Sequence, residues 1–346
     1  MRLLRHAFLF ALGTVLMVAS GGQHKAEAAE PLPVVATFSI LADMVRTIGG
    51  DRVGLTTLVG PDGDAHVFHP TPQHAEAVGK ARLVFANGLG FEGWMDRLME
   101  AAGFRGRVVT VTDGINVLEV GELEEHGHEH GRDEHPHEKD HGSSHGEEPH
   151  ADAHGHTGDY EPENGNDHDH GDVDPHAWQD LGNAKIFVTN IAAALSDADP
   201  AGRRVYERNR DAYIAEIGTV ERELRNALAS LPGGPHRVVV PHHAFGYFER
   251  AYGLEFVAPQ GLSTESEASA KDVARLIREI RSENVDAVFL ENIADPRLIQ
   301  QIERETDARI GGTLYSGALS DPNGPAATYL AMMRHNIRAL AAALTR

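Results

Sequence analysis

Imidazole is a borderline nitrogen donor, and this chain carries 22 histidines in 346 residues with no cysteine. Any transition-metal site it builds must use nitrogen and oxygen donors, without thiolate. The histidines fall into two settings. Twelve of them, His126, His128, His130, His135, His137, His141, His145, His150, His154, His156, His168 and His170, crowd one acidic run from Glu122 to Asp172. That run sets seventeen Asp and Glu against Arg132 and Lys139, a net −15 within the chain's −21. Neutral imidazoles spaced among carboxylates can hold several divalent cations. Each is held weakly, because ordering the chain costs entropy at every capture. The other setting is three short motifs beside apolar sequence. "GPDGDAHVFHPTP" holds His66, "DVDPHAWQD" holds His176, and "VVVPHHAFGYFERAYGL" holds His242 and His243. Three neutral imidazoles around one Zn²⁺, at about 2.0–2.1 Å, would fill most of a tetrahedral shell. Spacing alone does not make these three a site. They share no local ligand pattern such as HExxH, and a lone histidine beside a loop more often bonds the backbone or faces water.

The elements around these motifs decide whether they can meet. Val34–Thr37 reads as a buried strand, and Ser39 as the N-cap of a helix through Ile48 that Gly49-Gly50 ends. Val53–Val59, Arg82–Ala86 and Val108–Val111 read as further strands, with a helix from about Phe91 to Ala101 before the last of them. A short helix spans Gly182–Leu195. Asp199-Pro200 then opens a helical pattern to Leu231, apolar at Val205, Tyr213, Ile217, Val220, Leu224 and Leu228. Such a helix would be about 45 Å long, as long as a domain is wide, and is expected to link two lobes. The final third repeats the alternation. Strands are expected at Arg237–Val240, Ala287–Leu290 and Ile310–Tyr315. Ser269 and Asp295-Pro296 start helices whose apolar faces hold Leu276, Ile277 and Ile280, and Leu298, Ile299 and Ile302. A terminal helix covers Ala326–Leu344.

This pattern predicts an α/β protein with two β/α lobes and mainly parallel sheets. The expected boundaries are a signal peptide at 1–28, a first lobe at 31–198, a linker helix at 199–231 and a second lobe at 236–346. Segment 122–172 has almost no branched or aromatic residues to bury, so it is expected to be a disordered loop inserted in the first lobe. His66 and His242 follow strands, and ligands of open α/β sheets bind beyond the strands' carboxyl ends. Histidines from both lobes can therefore converge in an interlobe cleft.

The N-terminus has an export pattern. Arg2 and Arg5 precede an apolar run from Ala7 to Ala19, and Ala26-Glu27-Ala28 offers a small-x-small cleavage site. The run is short for a membrane span. Without a cysteine to carry lipid, the mature protein is expected free in an oxidising periplasm. Outside the acidic run the net charge is only −6, and no basic face for nucleic acid is seen.

The three histidine motifs, in this order and with a histidine-rich insertion between the first two, resemble the zinc and manganese receptors of ABC importers. These are the cluster A-I substrate-binding proteins of the zinc-receptor (ZnuA) type. The similarity continues through "APQGLSTESEAS", "VFLENIADPRLIQQIERET" and "GGTLYSGALS", over essentially the whole mature chain. It implies two lobes joined by one long rigid helix, with metal held between them. It implies a non-enzymatic periplasmic receptor that takes Zn²⁺ with high affinity. The partner is an ABC permease in the inner membrane with its ATPase. A periplasmic zinc chaperone is a further candidate partner, and the protein is expected to act as a monomer, with the histidine-rich loop as an accessory collector or sensor.

Carried over by position, His66, His176 and His242 match three family ligands. His243 is expected to be structural, and His69 a neighbour of the site. At the fourth position many relatives place an aspartate in Leu-Tyr-Ser-Asp-Ala-Leu, where this chain has Gly317. That leaves an open position for water, ahead of Asp64, Glu291, Asp321 or a histidine of the run. It favours zinc over manganese, which prefers oxygen-rich shells. The same residues leave two rival readings. One is a zinc hydrolase built on three histidines and water, with Glu291 as its base. The other is a periplasmic zinc store working through the acidic run.

Overall fold

Short apolar runs bounded by Gly, Pro and Asp form two separate four-stranded sheets. The computed structural model describes residues 30–119, 173–233, 236–282, 285 and 287–345. The expected signal peptide and the run 122–172, with its twelve histidines, lie outside the described residues. Both sheets belong to one compact unit, Pro31–Arg346.

The first sheet holds β1 (Leu32–Phe38), β2 (Val53–Val59), β3 (Leu83–Ala86) and β4 (Arg107–Thr110), in the order β2-β1-β3-β4. The second holds β5 (Arg237–Val239), β6 (Glu255–Val257), β7 (Ala287–Glu291) and β8 (Ile310–Leu314), in the order β6-β5-β7-β8. Every named pairing is parallel. Parallel neighbours need crossovers, and helices supply them. In the first lobe these are α1 (Ser39–Gly49), α2 (Pro72–Lys80) and α3 (Met95–Ala102). Next come α4 (Leu181–Ala198) and α5 (Arg203–Ala229), and the second lobe adds α6 (Gly246–Tyr252), α7 (Ala270–Ser282), α8 (Pro296–Glu305) and α9 (Tyr329–Leu344). In both sheets the chain leaves the first strand for one neighbour and later returns to the other side. This reversal opens a crevice at the carboxyl ends of the strands. Central β1 is buried from Val34 to Phe38, which explains its unbroken apolar run.

The 27 residues of α5 span about 40 Å. Its buried stripe is Tyr206, Tyr213, Ile217, Val220 and Leu224, at helical spacing. That stripe packs on α1 and α4 of the first lobe and on α9, which follows the second sheet. Asp199-Pro200 begins with a 3₁₀ turn, Pro200–Gly202, before the α-helix proper. Asp43 ties the same region together, accepting from the Tyr329 N–H at 2.9 Å and the Tyr213 hydroxyl at 3.4 Å. Burial still raises its carboxyl above the usual range.

Two local expectations are corrected. Ser39 is the first residue of α1 and not its cap; its hydroxyl accepts the Leu319 N–H at 2.9 Å, across to the second lobe. The helix expected from Phe91 starts at Met95, because Phe91 and Trp94 are drawn into the core. The Trp94 indole donates to the Ala65 carbonyl at 2.8 Å, bracing the loop before His66. The short elements α2, α6 and β6 have no counterpart in the sequence reading. Among the described residues, no helix is long and apolar enough to cross a membrane.

Candidate metal centre

β2 ends at Val59 and β5 at Val239, and the loops that leave them carry His66 and His242. His176 sits just before the 3₁₀ turn Ala177–Gln179 that leads into α4. The fold brings the three together: one ring nitrogen from each lies within 4.8 Å of the others. The Nε2 atoms of His66 and His176 are 3.1 Å apart. Tetrahedral coordination at about 2.0–2.1 Å places donor atoms about 3.4 Å apart. The His66–His176 pair is thus already at about the spacing a cation needs, and the widest gap in the cluster, no more than 4.8 Å, must close toward it. His176 and His242 are fully buried and His66 is half-buried, so the site opens on the His66 side.

Each histidine is held by a carboxylate through its backbone or its ring. Asp174 Oδ1 accepts the His176 backbone N–H at 2.8 Å and lies 2.8 Å from its ring Nδ1. With Nδ1–H turned to Asp174, the Nε2 lone pair faces the cluster. Glu291, at the end of β7, accepts the His242 backbone N–H at 3.2 Å, and its other oxygen lies 2.7 Å from His242 Nδ1. That approach is close but not aligned as a hydrogen bond, and His242 Nε2 is buried with no hydrogen-bond partner. The Ser316 hydroxyl donates to the same Glu291 oxygen. His66 lacks a ring carboxylate. Asp64 Oδ1 accepts its backbone N–H at 2.9 Å, and its ring meets Phe91 edge-on, centroids 4.7 Å apart.

These contacts set the charge states. Burial, then the neighbouring imidazoles, holds His66 well below the usual histidine range; burial and His242 do the same to His176. Burial also works to lower His242, but the Glu291 carboxylate overrides it and the net shift is upward. Burial pushes the Asp174 carboxyl up to about 7. Two of the three rings are therefore kept neutral, the form that binds metal.

A family model described as "Zinc-uptake complex component A periplasmic" matches residues 34–343. The chain belongs to this family. Members of the zinc-uptake component A family are substrate-binding receptors of ABC transporters, not enzymes, and work with a permease and an ATPase. The hydrolase reading is therefore set aside. The chain is 26% identical over 353 residues to the manganese ABC transporter substrate-binding lipoprotein PsaA of Streptococcus mitis, covering 100% of both. It is 27% identical to the iron-binding protein YfeA of Yersinia pestis, covering 98% of this chain and 96% of that one. The periplasmic zinc-binding protein TroA of Treponema pallidum superposes with a TM-score of 0.72 at 28% identity, over 90% of this chain and 99% of that one.

Against this family background, the other singled-out residues fall outside the cluster. His69 is exposed. His243 is half-buried, and its backbone N–H bonds the carbonyls of Gln260 and Gly261. Glu291 stands against His242 Nδ1, which makes it a ring-orienting group in place of a base or fourth ligand. Asp64 is engaged with His66 and Thr264, and Asp321 is exposed. Gly317 is buried, and a Cβ there would meet Ile293 Cδ1 at 3.0 Å. The sequence reading missed the role of Asp174. Its signal was the repeated Asp-x-His of "GDAH" and "VDPH", where the aspartate takes the histidine N–H in an Asx turn.

Proposed function

We propose that this chain is a periplasmic receptor that binds one Zn²⁺ tightly through His66, His176 and His242 and delivers it to an ABC importer. The observation that carries the reading is the donor set. Three imidazole nitrogens converge, and no carboxylate oxygen joins their group among the described residues. Nitrogen donors suit zinc, whereas manganese favours oxygen. Water takes the open fourth position.

The histidine-rich run acts as the accessory collector. Glu119 and Val173 pair in an antiparallel bridge, and the Asp174 N–H bonds the Leu118 carbonyl at 2.8 Å. Glu119 and Val173, on either side of the run in sequence, are therefore paired, and Val173 lies three residues before His176. Deleting 124–169 separates receptor from store. The receptor keeps one tight zinc site by equilibrium titration and loses only weaker sites; a store loses nearly all binding.

Proton competition has a defined sign. Metal needs neutral imidazole, so affinity is full at high pH and falls as pH drops through the pKa of any group that must lose a proton. Burial holds His66 and His176 well below the usual histidine range, which lessens their competition for protons. His242, shifted up by Glu291, must lose one proton. Asp174, pushed up to about 7, loses another, because a cation on His176 Nε2 strengthens the Nδ1–H donor facing it. Zinc affinity is expected to fall about ten- to hundredfold per pH unit between about pH 6 and 5, the slope of one to two protons. Competition titrations across that range check it; a flat profile contradicts the site.

A further inference from the structure

The loop that carries His66 is held to the opposite lobe by three bonds, two of them between exposed or half-buried side chains. The Asp62 N–H donates to the Leu319 carbonyl at 2.8 Å, and the Asn292 amide donates to Asp62 Oδ1 at 2.9 Å. The Thr264 hydroxyl donates to Asp64 Oδ2, while Asp64 Oδ1 holds the His66 N–H at 2.9 Å. One carboxylate thus joins Thr264 of the second lobe to the backbone of a proposed ligand in the first. Asp62 is exposed, and Asp64, Thr264 and Asn292 are half-buried, so water can replace each side-chain bond.

The His176 side of the seam is built differently. The Trp178 indole and Gln179 amide both donate to the Ser316 carbonyl, at 2.7 and 2.8 Å, and all three residues are fully buried. A buried donor left without its partner has no water to turn to, so these bonds resist opening far more than exposed ones. His242 and Glu291 lie wholly within the second lobe. The His66 loop is thus tied to the second lobe partly by side-chain bonds that water can replace, and the His176 side by buried ones.

We propose that the turn from Pro61 to His66 is a release clasp, whose bonds from Thr264 and Asn292 set how fast the bound cation leaves. This rests on the three-histidine reading. Thr264 and Asn292 are positioning residues that act through Asp64 and Asp62, and they touch no ring of the cluster. Differences of this kind act mainly on dissociation and little on association.

The test uses the full chain loaded with zinc and mixed with excess chelator in a stopped-flow instrument. The phase followed is the one that His242→Ala abolishes. The Thr264→Val, Asn292→Ala double variant is expected to release zinc about tenfold faster than the parent, with the association rate within about twofold. The melting midpoint of the zinc-free protein stays unchanged, and Thr264→Ser alone, which keeps the hydroxyl, releases at the parent rate. Release by the double variant within about twofold of the parent overturns the clasp. So does a change confined to association, or Thr264→Ser releasing as fast as Thr264→Val. A parent with no tight zinc site overturns the three-histidine reading instead, so the two failures are distinct.

Discussion

His242→Ala is expected to weaken zinc binding by a factor of several hundred, and His176→Ala by a similar amount. A full zinc shell is worth about 10–16 kcal/mol, so one ligand carries about 3–4 kcal/mol, or roughly two to three orders of magnitude in affinity. Both rings are fully buried, so no bulk water stands ready to fill the coordination position. Losing His242 also strands Glu291, which keeps only the Ser316 hydroxyl and the residue-242 N–H. His66→Ala should cost somewhat less, because His66 is half-buried and water can take its place. His69→Ala and His243→Ala are the controls, and should stay within about threefold of the parent. Affinities from competition with a chelator of known strength decide the matter. Parent-like binding by all three alanine variants would remove the site.

Much of the framework was legible because burial on both faces leaves an unambiguous trace. Val34–Ala36 and Ala287–Leu290 are unbroken apolar runs, and both lie in central strands. Asp295-Pro296 was readable as a helix start, and the Asp295 side chain does accept the Arg297 N–H there. Other features had no local trace. β6 and α6 have three and seven residues, too few for a period to emerge. α2 buries only Val78. Ser39 had the chemistry of a cap but found a tertiary partner 280 residues away, and nothing near it in sequence announces Leu319.

The histidines show the same division. Ring nitrogens of His66 and His176 meet across 110 residues, a separation without any spacing rule. Family resemblance, and not periodicity, singled them out. Glu291 reads from sequence as a candidate fourth ligand or base, because the end of a buried strand and the end of an exposed one look alike there. Only the pairing of β7 between β5 and β8 places it against His242.

Zinc is expected to outcompete manganese at this site by at least about a hundredfold. Imidazole donors follow the order in which divalent manganese binds most weakly and zinc far more strongly, and only oxygen donors narrow that gap. The cluster brings three nitrogens and no carboxylate. The nearest acids are already committed: Asp174 to His176, Glu291 to His242 and Ser316, Asp64 to His66 and Thr264. Drawing any of them onto a cation would break the contact that aims or holds a ligand. Competitive titration of the protein with both ions measures the ratio, and near-equal affinities would sink the nitrogen-only reading. Gly317→Asp sharpens the test. It adds a carboxylate one residue from Ser316, which bonds Glu291, and Ile293 Cδ1, 3.0 Å from the new Cβ, needs to yield only slightly. That variant should raise manganese affinity more than zinc affinity, because oxygen supplies manganese with what three imidazoles withhold. Specificity in this chain then depends on a side chain that is missing as much as on those present.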